Sequence, residues 1–207
     1  MTNNDVLTPT QRQATAVALA GVRADPSSIR VRFPAAARTI ARTTADPGDL
    51  GRFRAEDQVR LSLLETFAEV TSDQEALVQE IEDLYRYGDG DERRAVLLAL
   101  SHLPIDDRGI EMVQDALRSN DPRLVVAALG DYGHQHLDPA AWRQGVLKCL
   151  FMGVPLDLIT GLSSRLDQTL RDMVAAYAQE RTAAGRAVPA DAQRILDLST
   201  DSTETES

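Results

Sequence analysis

The sequence predicts an all-α fold, because composition, apolar periodicity and helix-start signals all favour helices. Ala, Leu and Arg are among the most frequent of the 207 residues and runs of β-branched residues are scarce, which favours helices by intrinsic propensity. Apolar residues recur at helical spacings of three and four. Aromatic residues make up only 4% of the chain, so we expect a core of mainly Leu, Val and Ala.

Capping signals place the first helices. Thr8 followed by Pro9 and then Gln11 forms a capping box, so a helix is expected to run from there to about Val22. A short helix is expected around Pro34 to Arg42. The next residues, 43–49, have turn composition and are expected to form a mobile loop.

The middle of the chain is a series of amphipathic segments. Apolar residues lie on one face from Glu56 to about Val70, and again from Gln74 to Tyr87. The segment from Asp91 to Leu103 is apolar on nearly all sides, which is typical of a helix at the centre of a protein.

Two matching Asp-Pro pairs mark later helix starts. Asp121-Pro122 and Asp138-Pro139 each place a capping carboxylate before a proline, and each is expected to open a helix of about three turns. Gly153 should end the second of these helices, and a long amphipathic helix follows that includes Tyr177. The whole chain is expected to contain nine or ten helices.

The arrangement of these helices has two possible forms. Helix pairs over residues 91–118 and 122–152 recur with a period of about 31 residues, which suggests a short HEAT-like array of stacked α-hairpins. No residue-level repeat accompanies this period, so a compact helical bundle is an equally good interpretation. We expect one helical domain over residues 1–198 and an acidic, disordered tail over 199–207.

Charge argues against nucleic-acid binding. The formal net charge is −10 and the isoelectric point is near 4.8, whereas binding to phosphates needs a clustered basic surface. A HEAT-like nucleic-acid-binding protein stays an alternative only if the arginines of the first quarter form one strip. These are Arg23, Arg30, Arg32, Arg38, Arg42, Arg52 and Arg54.

Cysteine usage and hydropathy indicate a cytoplasmic protein. Cys149 is the only cysteine, which excludes an intrachain disulfide, and its apolar neighbours suggest a buried core residue. The N-terminus lacks a basic targeting region, and the apolar segment from Ala14 to Val22 is too short to span a membrane.

The chain resembles the EboA family, most clearly in its C-terminal half. The residues that carry the resemblance are Ala99-Leu-Ser-His-Leu-Pro104, Arg118-Ser-Asn120, Ala141-Trp142, Gln144, Val146-Leu-Lys148, Leu150-Phe151, Pro155-Leu156, Ile159, Gly161-Leu162, Arg165, Leu170, Met173, Tyr177-Ala178, Glu180-Arg181 and Ala183-Ala-Gly-Arg186. A fainter match lies at Asp57-Gln58-Val59-Arg60.

The resemblance implies a setting but no reaction. Members of this family are all-helical proteins encoded in bacterial gene clusters for small secondary metabolites, beside prenyltransferase-like, cyclase-like and metal-dependent hydrolase-like proteins. The chain departs from the family pattern in Gly130-Asp131-Tyr132-Gly133, which keeps only the tyrosine of an Asn-Pro-Tyr-Pro turn. It also has Arg143, Ala176 and Thr182 where Asn, Asp and an aromatic residue are expected. A different ligand or role would explain these exchanges.

The helix after Pro139 supplies the first candidate site residues. Gln144 and Lys148 are four residues apart and share one face, close to Trp142. An enclosed lysine would have a depressed pKa and could act as a base or an anion anchor. In the structural alternative, Lys148 extends to solvent and Trp142 fills the core.

The next long helix supplies the second group. Tyr177 and Arg181 lie one turn apart, Glu180 is adjacent, and Arg186 follows the helix end. The two arginines could form a clamp for a carboxylate, with Tyr177 as a donor. In the structural alternative, the helix dipole alone favours them there.

The sequence contains few motifs typical of metal sites or of known catalytic sites. His134 and His136 with Asp131 invite a metal interpretation, but their spacing is weak evidence and we predict no metal. No P-loop, GxGxxG, GxSxG or calcium-loop motif is present, and we predict no cofactor.

Two classes of function remain. In the first, the protein binds a hydrophobic intermediate or a partner enzyme during metabolite biosynthesis. In the second, it is a cofactor-free enzyme with acid and base groups in a helical cavity. The catalytic candidates are Lys148, Tyr177 and Glu180, and the ligand-binding candidates are Trp142, Gln144, Arg181, Arg186 and Tyr132. The enzyme hypothesis predicts that these side chains converge on one enclosed pocket.

Overall fold

The structure is a computed structural model that describes residues 6–43 and 49–197. Over these ranges it contains twelve α-helices and no strand, which confirms the all-α prediction. They are α1 (Pro9–Ala24), α2 (Ile29–Thr39), α3 (Ala55–Val70), α4 (Gln74–Tyr87), α5 (Gly90–Ala99), α6 (Ile110–Arg118), α7 (Pro122–Ala128), α8 (Asp131–His136), α9 (Pro139–Met152), α10 (Leu162–Arg165), α11 (Gln168–Ala183) and α12 (Ala190–Asp197). Residues 44–48 of the predicted loop, and the predicted tail, lie outside the described residues.

The chain divides into two compact units, Met1–Ala128 and Leu129–Ser207. In the first unit, α3 packs against α1, α2 and α5, and α5 also packs against α4 and α7. In the second unit, α11 packs against both α9 and α12. The single helical domain over residues 1–198 stays a prediction.

Local capping signals placed several helix ends correctly. At the start of α1, the Thr8 hydroxyl accepts from Gln11 N and the Gln11 side chain accepts from Thr8 N, at 3.3 and 2.9 Å. At the start of α9, the Asp138 carboxylate accepts from two backbone amides. Gly153 ends α9 with a φ of 70°, a left-handed conformation that glycine adopts without steric cost.

The start of α2 differs from the prediction. The helix begins at Ile29 rather than near Pro34, and Pro34 lies inside it. A 3-10 turn over Pro26–Ser28, capped by the Asp25 carboxylate, leads directly into the helix. A proline inside a helix costs about 3 kcal/mol. The complete burial of Ile29 and Phe33, at about 1.5 to 3 kcal/mol each, offsets that cost.

The helix opened by Asp121 is also shorter than expected. It ends at Ala128, and a separate short helix, α8, begins at Asp131. At the break, Leu129 O accepts from Thr160 N at 3.1 Å, so a partner distant in sequence takes the place of the next helical hydrogen bond. Breaks of this kind explain why the described chain has more helices than the nine or ten predicted.

Within residues 6–43 and 49–197, no helix combines the length and the apolar character that a membrane crossing requires.

Candidate functional site

Trp142 is a core residue of the second unit. Its side chain is 1% exposed, and the Arg165 guanidinium lies 4.8 Å from the centroid of its ring. Arg165 also donates to the carbonyl oxygens of His134 and Leu137, at 2.9 and 2.8 Å, so it satisfies the C-terminal end of α8. Burial lowers the pKa of Arg165. The contacts of Trp142 are therefore those of a packed side chain with a cation on its face.

Tyr177 joins α11 to the end of α9. Its ring is buried, and its hydroxyl donates to Leu150 O at 3.2 Å. The exposed ring of Phe151 meets it edge-on, with centroids 4.7 Å apart. The Arg181 guanidinium lies 5.8 Å from the Tyr177 centroid. The structure thus brings Tyr177 and Arg181 together, as the sequence suggested, although the hydroxyl is engaged with the backbone.

The remaining candidates of α9 and α11 lie nearer the surface. Gln144, Glu180 and Arg186 are exposed, and Lys148 is half-buried. Arg181 donates from Nε to Ala187 O at 2.7 Å, which closes the turn after α11. The side chains of Gln144, Glu180 and Arg186 are thus not enclosed, whereas the enzyme hypothesis predicts an enclosed pocket. Their role in binding or catalysis stays a prediction.

Tyr132 and the two histidines of α8 form a small packed cluster. The Tyr132 ring is buried and tilted against the His136 ring, with centroids 4.3 Å apart. His134 is half-buried, and its ring lies where a side chain on Gly161 would project. Across the part of the chain that the structure describes, no group of three or more His, Cys, Asp or Glu side chains is placed to hold a metal ion.

Cys149 is expected to be chemically inert in the folded protein. It is fully buried in α9, and burial raises the pKa of its thiol to about 12. Because the thiolate is the reactive form, iodoacetamide should not modify the native protein at mildly alkaline pH. Mass spectrometry should find one adduct after unfolding in urea. Rapid native modification would contradict the buried position.

The first unit contains a cluster of buried charges that the sequence patterns do not predict. Asp57 and Arg94 form an ion pair between α3 and α5, and both side chains are almost fully buried. Asp57 also accepts from Arg54 N at 2.9 Å, and Arg94 donates to Arg52 O at 2.8 Å. Burial raises the pKa of Asp57, and the charge of Arg94 and its hydrogen bond act in the opposite direction. This cluster fixes the start of α3 against α5.

A cleft of about 620 Å³ lies between α2 and the first turns of α3 and α5, and Arg54 is the residue of the cluster that lines it. Pro34, Ala37 and Thr43 contribute to its wall. Its charged lining consists of four arginines and four acids: Arg38, Arg42, Arg54, Arg60, Glu56, Asp89, Asp91 and Glu92. Ligand sites typically have volumes of about 300 to 1,000 Å³, so the cleft is large enough for a small molecule.

Arg60 is the most buried of the lining arginines. It is 2% exposed, its Nε donates to Phe33 O at 3.3 Å, and its guanidinium lies 5.6 Å from the Phe33 ring centroid. Its Nη2 is 3.7 Å from Glu92 Oε1. Seven side-chain nitrogen or oxygen atoms of the described residues are buried without a hydrogen-bond partner, and two of them, Arg60 Nη1 and Arg54 Nε, belong to residues that line the cleft. A buried donor left unpaired costs about 1 to 3 kcal/mol, so this feature needs an explanation.

The sequence held only indirect signals for this cleft. Arg38, Arg42 and Arg54 belong to the positively charged first quarter, and Asp57 and Arg60 lie in the faint family match. Other arginines of that quarter have acidic partners: Arg23 pairs with Glu69 at 3.4 Å and Arg30 with Glu80 at 2.6 Å. Arg32 donates to Ser28 Oγ at 3.1 Å, so the arginines of the first quarter have separate local partners or line the cleft.

Comparison with known families identifies the relatives of this fold. The model of the EboA family, described as "Metabolite traffic protein EboA", matches residues 37–197. The chain belongs to the EboA family. No curated protein and no solved structure matches it. The matched range begins within α2 and includes all the charged residues that line the cleft, as well as the candidates on α9 and α11.

Arg143 has a structural role in the second unit. Arg143, which stands where Asn was expected, pairs with Asp167 through two nitrogens, with a closest distance of 2.6 Å. Asp167 is the N-cap of α11 and also accepts from Leu170 N at 2.9 Å. The hydrogen bond from Arg143 lowers the pKa of Asp167. The exchange therefore ties α9 to the start of α11.

Proposed function

We propose that this EboA-family protein binds a small metabolite in the cleft between α2, α3 and α5. It holds the compound for a partner enzyme of a bacterial biosynthetic pathway in the cytoplasm and does not transform it. The observation that carries the proposal is the pair of buried, unpartnered guanidinium nitrogens of Arg54 and Arg60, two residues that line the cleft. A bound ligand would satisfy these donors.

The chemistry of the cleft lining supports binding over catalysis. Arginine stays protonated at all physiological pH values and is a poor general acid or base, whereas its planar donors recognise ligands well. Each lining carboxylate also contacts a donor of the protein. Glu56, for example, accepts from Thr43 N at 2.7 Å, and Asp91 accepts from Arg123 at 2.6 Å. The polar lining favours a metabolite with polar groups over a purely hydrophobic intermediate.

Retention of a compound from cell extract tests the proposal. The purified protein is incubated with an extract of cells that lack it, separated by gel filtration and analysed by mass spectrometry. We expect a compound that co-elutes with the protein at unchanged mass, and we expect Arg38→Met to weaken its retention. Arg38 is exposed at the cleft, so its replacement should leave folding intact.

The matched control is Arg23→Met, which removes an exposed arginine of the same unit that does not line the cleft. Retention that is equal in wild type, Arg38→Met and Arg23→Met would place the binding site elsewhere. Absence of any retained compound would contradict a holding role.

The alternative function is a cofactor-free enzyme that uses Lys148, Tyr177 and Glu180. The contact of Tyr177 with Arg181 is the observation that favours it. In that case the same experiment would find a compound consumed, and Lys148→Met would stop its consumption while leaving stability nearly unchanged. Full consumption by the Lys148→Met variant would remove the catalytic role of this lysine.

A further inference from the structure

The acidic side chains of the cleft are already engaged by the protein. Asp91 accepts from Arg54 at 3.1 Å and from Arg123 at 2.6 Å. Asp89 caps α5 by accepting from Asp91 N and Glu92 N, both at 2.9 Å. Glu92 accepts from Asp89 N at 3.2 Å and Glu56 from Thr43 N at 2.7 Å. The negative charges of the lining are therefore held by local donors.

The basic side chains of the cleft retain free donors. Across residues 6–43 and 49–197, the guanidinium groups of Arg38 and Arg42 have no hydrogen-bond or ion-pair partner. Both are exposed, and they lie four residues apart near the C-terminal end of α2. The helix dipole accounts for cations at this end of α2, but it does not account for the unpartnered nitrogens of Arg54 and Arg60.

The equal numbers of positive and negative side chains in the cleft favour a ligand with one anionic group over a polyanion. Four arginines and four acids line the cleft, so their formal charges cancel. A polyanion would meet the carboxylates as well as the arginines, whereas a single oxyanion group can approach the arginines alone. Guanidinium groups bind carboxylate and phosphate oxygens through two parallel hydrogen bonds, which suits a compact oxyanion.

We infer that the metabolite carries a carboxylate or phosphate group, and that this group binds the arginines of the cleft. Arg38 and Arg42 contact it from the exposed rim, and Arg60 and Arg54 offer it their unpartnered buried nitrogens. This inference rests on the proposed metabolite-binding function and adds the chemical class of the ligand.

Binding of two simple anions to the full-length protein tests the inference. Sodium acetate and sodium phosphate are titrated at constant ionic strength, with sodium chloride as the reference, and the midpoint of thermal unfolding is recorded. We expect a saturable rise in midpoint with one of the probes relative to chloride. Acetate would identify a carboxylate site and phosphate a phosphate site.

Variants locate the bound anion. The double variant Arg38→Met, Arg42→Met is expected to weaken the apparent affinity about tenfold, since each lost contact to a charged group removes a sizeable share of the binding free energy. Arg23→Met should bind as wild type does. Arg60→Met is expected to lose binding completely, and circular dichroism shows whether that variant folds. If Arg60→Met does not fold, the exposed double variant Arg38→Met, Arg42→Met still tests the inference.

Two results would overturn the inference. One is a midpoint that follows chloride for both anions, and the other is equal binding by wild type and the Arg38→Met, Arg42→Met variant. The extract experiment separates this failure from that of the proposed function. A retained compound without a carboxylate or phosphate group would leave the holding role intact and remove only the ligand class. Anion binding without any retained compound would support the anion site and contradict the holding role.

Discussion

Arg94→Met is expected to lower the free energy of unfolding by about 3 to 5 kcal/mol, because it leaves Asp57 as a buried charge without its partner. Both side chains are almost fully buried, so water cannot replace the lost cation. The variant also loses the hydrogen bond from Arg94 to Arg52 O. Urea unfolding followed by circular dichroism measures the change.

Two further variants separate the buried charge from other causes. Arg93→Met removes the neighbouring arginine, which is partly exposed and lies 5.2 Å from the Tyr85 ring centroid, and should cost less than about 1 kcal/mol. Asp57→Asn combined with Arg94→Met removes both charges but keeps an oxygen that can accept from Arg54 N. It should recover a substantial part of the loss. A double variant less stable than Arg94→Met would mean that the unpaired charge is not the cause.

Trp142→Ala is expected to destabilise the second unit by about 3 to 5 kcal/mol, the usual cost of truncating a large aromatic residue in a core. The side chain is 1% exposed, and its loss would also deprive Arg165 of the ring on which it lies. Because Trp142 is the only tryptophan, unfolding must be followed by circular dichroism rather than by tryptophan fluorescence.

Phe151→Ala is the matched control on the same helix. Its ring is 61% exposed and keeps only part of its surface against Tyr177, so the loss should be below about 1 kcal/mol. Equal losses for the two variants would contradict the assignment of Trp142 to the core.

Helix ends governed by neighbouring residues were predictable. The bounds of α4, from Gln74 to Tyr87, match the periodicity of its apolar residues. The caps at Thr8, Asp138 and Gly153 depend on atoms a few residues away, and the structure has all three. The predicted start of α2 was wrong because burial holds Ile29 and Phe33 in the helix. The position of Pro34 carries no information about that burial.

Helix caps and apolar periodicity do not predict the cleft. Its lining comes from α2, α3 and α5, so residues as far apart as Arg38 and Asp91 meet there. In the sequence, Asp57 and Arg60 look like ordinary polar positions of an amphipathic helix. Their burial comes from other helices, since Asp57 pairs with Arg94 of α5 and Arg60 contacts Phe33 of α2.

The sequence by itself determined the all-α class, the family and the helix caps, because helical hydrogen bonds join residues four apart and caps act within one turn. The tertiary structure decided which charges are buried. It placed Asp57 and Arg94 in an ion pair, engaged the Tyr177 hydroxyl with Leu150, and left the buried nitrogens of Arg54 and Arg60 beside a cleft. The physical reason is that desolvation depends on neighbours that are distant in sequence, so no local pattern specifies it.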